Sequence, residues 1–132
     1  MVTNPVTAKL LVDNGATTIN VPSSLSIEKL YEIRQAVDVP FDLYVETPDA
    51  LGGFLRYYEI PEMIRVLSPV YLKMGMRNHQ DVYPTGKHLE QLNINLAKER
   101  VRRLQLSREM IARYYPEAIE STTVPLDLGI PE

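Results

Sequence analysis

The sequence predicts an α/β fold in which three parallel strands alternate with helices and a long helix follows the last strand. A helical segment followed by a short β-rich run occurs three times along the chain. Each return to a new strand passes through a helix, so neighbouring strands run in the same direction. A long segment, from about 88 to 115, then carries apolar residues at steps of three and four.

The first unit is a helix over 7–12 followed by a strand over 17–22. Asn4 stands where an N-cap is needed, since its side chain can accept a hydrogen bond from the first turn. Asn14 and Gly15 are typical residues of a helix end.

The second unit pairs a helix over 26–37 with a strand over 41–46, and the third pairs a helix over 61–67 with a strand over 70–75. Three serines are candidate caps of the second helix: Ser23, Ser24 and Ser26.

The last helix carries an apolar stripe that we expect to pack inward, and the tail 116–132 is predicted to be an irregular strap. The stripe consists of Ile94, Ala97, Val101, Leu104, Ile111 and Tyr115. The helix also has many basic residues, but Glu99 and Glu109 lie among them, which indicates a solvated face rather than a nucleic-acid surface.

Composition restricts the function classes. The chain has 132 residues, 45% of them hydrophobic and 23% charged, as expected for one soluble domain. The absence of cysteine excludes disulfides, thiolate zinc sites and thiol nucleophiles. A net charge of -3 gives no field that attracts nucleic acid or an anionic bilayer. Neither a membrane-length apolar run nor a signal peptide is recognisable, so we expect a cytoplasmic protein.

The run GATTINVPSSLSIEKLYEIRQAVDVPFDLYVE resembles successive units of a TIM-type βα barrel, with a helix ending in Asn-Gly or Val-Asp-Val-Pro just before each short strand. The resemblance covers about 5–115 and implies a single partial domain over 1–132, a half barrel holding the last three of eight strands. A whole barrel needs about 250 residues. The chain is then either the C-terminal part of a longer protein or a short protein that completes its sheet by association. Open strand edges lead us to expect a dimer in both cases.

Two charged residues in the apolar strand runs are the leading catalytic candidates. Glu46 ends the second strand and Lys73 lies near the end of the third. Parallel folds bind ligands at the carboxyl ends of strands, so we expect the two side chains to meet there. Glu46 is predicted to transfer a proton, and Lys73 to hold a phosphate or carboxylate or to form a Schiff base. A structural ion pair is the alternative.

Further candidates follow the strands. The loop 74–86 supplies His79 as an assisting catalytic residue, which Asp81 would orient. The predicted substrate-binding residues are Asn20, Asp49, Gly53, Arg77 and Asn78. Magnesium or manganese is a possible cofactor, because Glu46, Asp49, His79 and Asp81 are suitable hard ligands, although no compact motif joins them.

These features lead to two hypotheses. The first is the C-terminal part of a βα-barrel enzyme acting on a small anionic metabolite, with lyase, isomerase and hydrolase chemistry all open. The second is a non-catalytic half-barrel or flavodoxin-like scaffold that acts through self-association.

Overall fold

A computed structural model describes residues 1–47, 53–74 and 86–121 and confirms the α/β prediction. Three parallel strands form one open sheet in the order β1-β2-β3. The strands are β1 (Ile19–Val21), β2 (Phe41–Tyr44) and β3 (Val70–Lys73). The helices are α1 (Pro5–Asp13), α2 (Ile27–Ala36), α3 (Ile60–Leu67) and α4 (Glu90–Tyr114), with 3₁₀ turns at Tyr57–Glu59 and Lys87–Leu89.

The predicted helix ends are confirmed for the first two helices. The Asn4 side chain accepts a hydrogen bond from the Thr7 N–H at 2.9 Å and so satisfies a free donor of the first turn of α1. Asn14 caps the other end, and Gly15 follows with a φ of 96°, a value that a residue with a Cβ rarely adopts. Of the three candidate serines, Ser26 is the N-cap of α2.

The apolar core lies between one face of the sheet and the helices. In each strand, alternate residues point to the same face, and paired residues of neighbouring parallel strands share it. The strand residues on the core side are Ile19, Val21, Phe41 and Leu43, all buried. Helix residues Ala8, Leu30, Ile33, Ile60, Met63 and Leu67 pack in the same cluster.

The four helices form one layer, in which each helix contacts the next along the chain. This arrangement follows from right-handed crossovers, which place successive helices on the same side of a sheet whose strands are added in order. The sheet is open among the described residues, so a half barrel is not established by its topology.

The prediction that the apolar stripe of α4 packs inward is wrong for four of its members. Ile94, Ala97, Val101 and Leu104 are exposed, whereas Ser107 and Met110 are buried. Helix α4 has a second apolar set, Leu92, Leu96, Leu106 and Met110, which is half-buried or buried. That inward face also carries Arg103, which forms an ion pair with Glu46, the residue just past the end of β2. Of the predicted strap, the described part 116–121 contains neither helix nor strand.

Candidate functional site

The face of the sheet that points away from the core is polar. Strand pairing places Asn20, Asp42 and Tyr71 side by side. Two residues further along the strands it places Tyr44 next to Lys73. Because these residues alternate with the core residues, all five side chains belong to the face opposite the helices. We call these five residues the polar sheet face.

Two side-chain oxygens on this face are buried without a hydrogen-bond donor among the described residues. They are Asn20 Oδ1 and Asp42 Oδ1. Asp42 is only 7% exposed. Lys73 Nζ lies 3.1 Å from Asp42 Oδ1, an ion pair by distance that lacks the direction of a hydrogen bond. The same ammonium lies 5.6 Å from the centre of the Tyr44 ring.

Glu46 lies just past the end of β2 and turns toward the helices. Arg56 N–H donates to the Val45 carbonyl at 2.9 Å, and Glu46 forms an isolated antiparallel bridge with Leu55. The returning segment is fixed in turn by Arg56, whose buried guanidinium donates to the carbonyls of Ser23 and Leu25. Local backbone pairing therefore sets the direction of the Glu46 carboxylate.

The Glu46 carboxylate is 4% exposed and contacts two helical residues. Arg103 Nη1 donates to Oε2 at 2.8 Å, and the Tyr57 hydroxyl donates to the same oxygen. Burial, reinforced by the hydrogen bond to Glu46, raises the pKa of Tyr57 to about 12. Arg103 also binds Glu99, and hydrogen bonds from Arg102 and Arg103 lower the pKa of Glu99 to about 2. We call Glu46, Tyr57, Glu99 and Arg103 the Glu46 cluster.

The two leading candidates, Glu46 and Lys73, do not form an ion pair with each other. Glu46 pairs with Arg103 and Lys73 pairs with Asp42. The register explains the separation, because Lys73 is opposite Tyr44, two residues before Glu46. Two residues correspond to about 6.6 Å along a strand. In addition, Glu46 turns toward the helices, whereas Lys73 lies on the polar sheet face.

The remaining predicted residues are distributed as follows. Asn20 is on the polar sheet face, and Gly53 lies in the segment that returns to β2, with a φ of 63°. Four other candidates lie outside the described residues: Asp49, Arg77, Asn78 and His79. Asp81, which the sequence predicts to orient His79, lies outside them as well.

Several important residues were not selected from the sequence. Asp42 is a charge inside the apolar run FDLYV, and the rule that selected Glu46 and Lys73 applies to it equally. Arg103 gives no such signal, because it is one of several arginines in α4 and its partner lies 57 residues away in the chain.

Of the four candidate metal ligands, only Glu46 lies within the described residues. Within the described ranges, no group of three or more His, Cys, Asp or Glu side chains is placed to hold a metal ion. None of the helices in those ranges is long and apolar enough to cross a bilayer.

Comparison with protein-family models, curated proteins and solved structures found no match to this chain.

Proposed function

We propose that the chain is part of a βα-barrel enzyme and that its polar sheet face binds a small anionic metabolite. The observation that supports this proposal is the pair of buried oxygens on neighbouring strands, Asn20 Oδ1 and Asp42 Oδ1, the second of which lies 3.1 Å from the Lys73 ammonium. A buried polar atom without a hydrogen bond costs about 1–3 kcal/mol, a cost that the ion pair with Lys73 offsets in part at Asp42 Oδ1. A ligand that donates hydrogen bonds to these oxygens removes that cost.

The chemistry of the three side chains suggests the type of ligand. The Lys73 ammonium provides a positive charge for a carboxylate or phosphate. Asn20 Oδ1 and Asp42 Oδ1 act as acceptors, so the ligand needs a hydroxyl or amino group close to its anionic group. A hydroxy acid or an amino acid has both. The reaction class stays open between lyase, isomerase and hydrolase.

Glu46 has a different role in this proposal. Its carboxylate already accepts hydrogen bonds from Arg103 and Tyr57. These bonds favour a role for Glu46 in holding the end of β2 in position. Its predicted role in proton transfer stays a prediction.

The proposal is tested by nuclear magnetic resonance titration of the 15.1 kDa chain with glycolate and acetate. Glycolate has a hydroxyl group beside its carboxylate and acetate does not. We expect saturable shifts of the Asn20, Asp42 and Lys73 amide signals, with tighter binding of glycolate. Lys73→Met should weaken binding about tenfold or more, because a hydrogen bond to a charged group contributes about 1.5–3 kcal/mol.

Lys29→Met is the matched control, since it removes the same charge from the solvent side of α2. It should bind like the wild type. If neither acid causes saturable shifts on the polar sheet face, or if both lysine variants lose binding equally, the binding proposal is wrong and the scaffold hypothesis gains support.

A further inference from the structure

The two buried oxygens of the polar sheet face can accept more hydrogen bonds than one hydroxyl group can donate. Asn20 Oδ1 and Asp42 Oδ1 both lack a donor within the part of the chain that the structure describes. Asn20 and Asp42 are directly paired on neighbouring strands, which lie about 4.8 Å apart. A single ligand group between them can therefore contact both oxygens. A hydroxyl has one hydrogen and donates to one oxygen, whereas an ammonium has three.

The charges of the polar sheet face distinguish the same two ligand groups. Of its five residues, Asp42 and Lys73 are charged, and their charges sum to zero. A hydroxy acid adds an uncompensated negative charge beside the Asp42 carboxylate, which is 7% exposed. Such a charge is costly where water is largely excluded. A zwitterionic amino acid leaves the sum at zero, because its ammonium compensates Asp42 and its carboxylate compensates Lys73.

The position of Lys73 shows that an ammonium fits against this part of the sheet. Its Nζ lies 3.1 Å from Asp42 Oδ1 and 5.6 Å from the centre of the Tyr44 ring. The direction of the contact leaves Asp42 Oδ1 without a hydrogen bond, so this oxygen can still accept one from a ligand. The Lys73 side chain is 37% exposed and can therefore contact a ligand carboxylate from the solvent side.

We propose that the ligand of the polar sheet face is an amino acid rather than a hydroxy acid, and that Asp42 determines this selection. The inference rests on the proposed function, since it names the ligand class of the same site. Asn20 Oδ1 and Asp42 Oδ1 each accept a hydrogen bond from the ligand ammonium, and Lys73 binds the ligand carboxylate.

Glycine and glycolate test the selection, because they have the same number of non-hydrogen atoms and differ in an ammonium and a hydroxyl. In nuclear magnetic resonance titrations of the wild-type chain, glycine should bind about tenfold or more tightly than glycolate, since hydrogen bonds between charged groups are the stronger ones. Trimethylglycine keeps the positive charge but has no N–H group. It should bind about tenfold or more weakly than glycine.

Asp42→Asn removes the charge and keeps a side-chain acceptor of the same size. It should reduce the preference for glycine over glycolate to about threefold or less. Asp38→Asn is the matched control, since it removes the same charge from a side chain that is 97% exposed. It should keep the wild-type preference. If Asp42→Asn does not fold, the comparison with trimethylglycine on the wild type decides the question.

The outcomes separate this inference from the proposed function. Equal binding of glycine and glycolate, or of glycine and trimethylglycine, would overturn the selection of an amino acid. Tighter binding of glycolate than of acetate would still support the proposed function in that case. An unchanged preference in Asp42→Asn would overturn the role of Asp42. Without saturable shifts for any of these ligands, the inference and the proposed function are both wrong.

Discussion

At the scale of single residues, the buried Glu46 carboxylate has the largest expected effect. It is the point at which the end of β2 is joined to α4, through Arg103, and to the 3₁₀ turn, through Tyr57. Removal of one member of a buried ion pair leaves the other charge without its partner. Glu46 is therefore expected to affect stability in addition to any role in catalysis.

Glu46→Gln should lower the free energy of unfolding by about 1–3 kcal/mol. The estimate is below the usual cost of breaking a fully buried pair because the Arg103 side chain is about a third exposed. Urea denaturation measures the change. Glu109→Gln, at an exposed position of the same helix, should change it by less than about 0.5 kcal/mol. Equal stability of the Glu46 variant and the wild type would contradict the structural role.

At the scale of elements, arginine contacts hold α4 near its middle and at its C-terminal end. Arg103 joins it to the sheet near the middle, and Arg65 of α3 holds its C-terminal end. Arg65 Nη2 donates to the Tyr114 carbonyl at 2.6 Å, and the guanidinium carbon lies 4.4 Å from the centre of the Tyr115 ring. The free carbonyls at a helix end are thereby partly satisfied.

Arg65→Ala should destabilise the protein by about 1–2 kcal/mol, because it removes a charge-assisted hydrogen bond and a cation–π contact. Arg65→Lys should lie between the alanine variant and the wild type, since an ammonium lacks the planar fork. Arg113→Ala is the control. The guanidinium carbon of Arg113 lies 6.0 Å from the centre of the Tyr114 ring, a longer contact than that of Arg65. Denaturant unfolding of the three variants decides the question, and equal losses for Arg65→Ala and Arg113→Ala would contradict this role.

At the scale of the whole molecule, carboxylates bound to arginine contribute to the response to acid. Hydrogen bonds from Arg102 and Arg103 hold the pKa of Glu99 at about 2, and a hydrogen bond from Arg56 lowers the pKa of Glu59. The unfolded chain binds protons at these groups near the usual pKa of 4.5, before the folded chain does. Stability is therefore lost as the pH falls below that value.

The free energy of unfolding should decrease from about pH 4.5 to about pH 2. Glu99→Gln should make this decrease shallower, because the variant lacks one group that takes up a proton on unfolding. Urea unfolding at a series of pH values measures both slopes. A steeper or unchanged slope in the variant would show that Glu99 does not contribute to the acid response.

The sequence by itself determined the order of helices and strands, the cap at Asn4, and the parallel direction of the sheet, and it restricted the cap of α2 to three serines, of which the structure selected Ser26. These features depend on local periodicity and on hydrogen bonds within three or four residues. Only the tertiary structure decided that Glu46 pairs with Arg103, that Lys73 pairs with Asp42, and which apolar row of α4 is buried. These outcomes depend on strand register and on contacts between distant parts of the chain, where a shift of two residues or a rotation of a helix changes the partner.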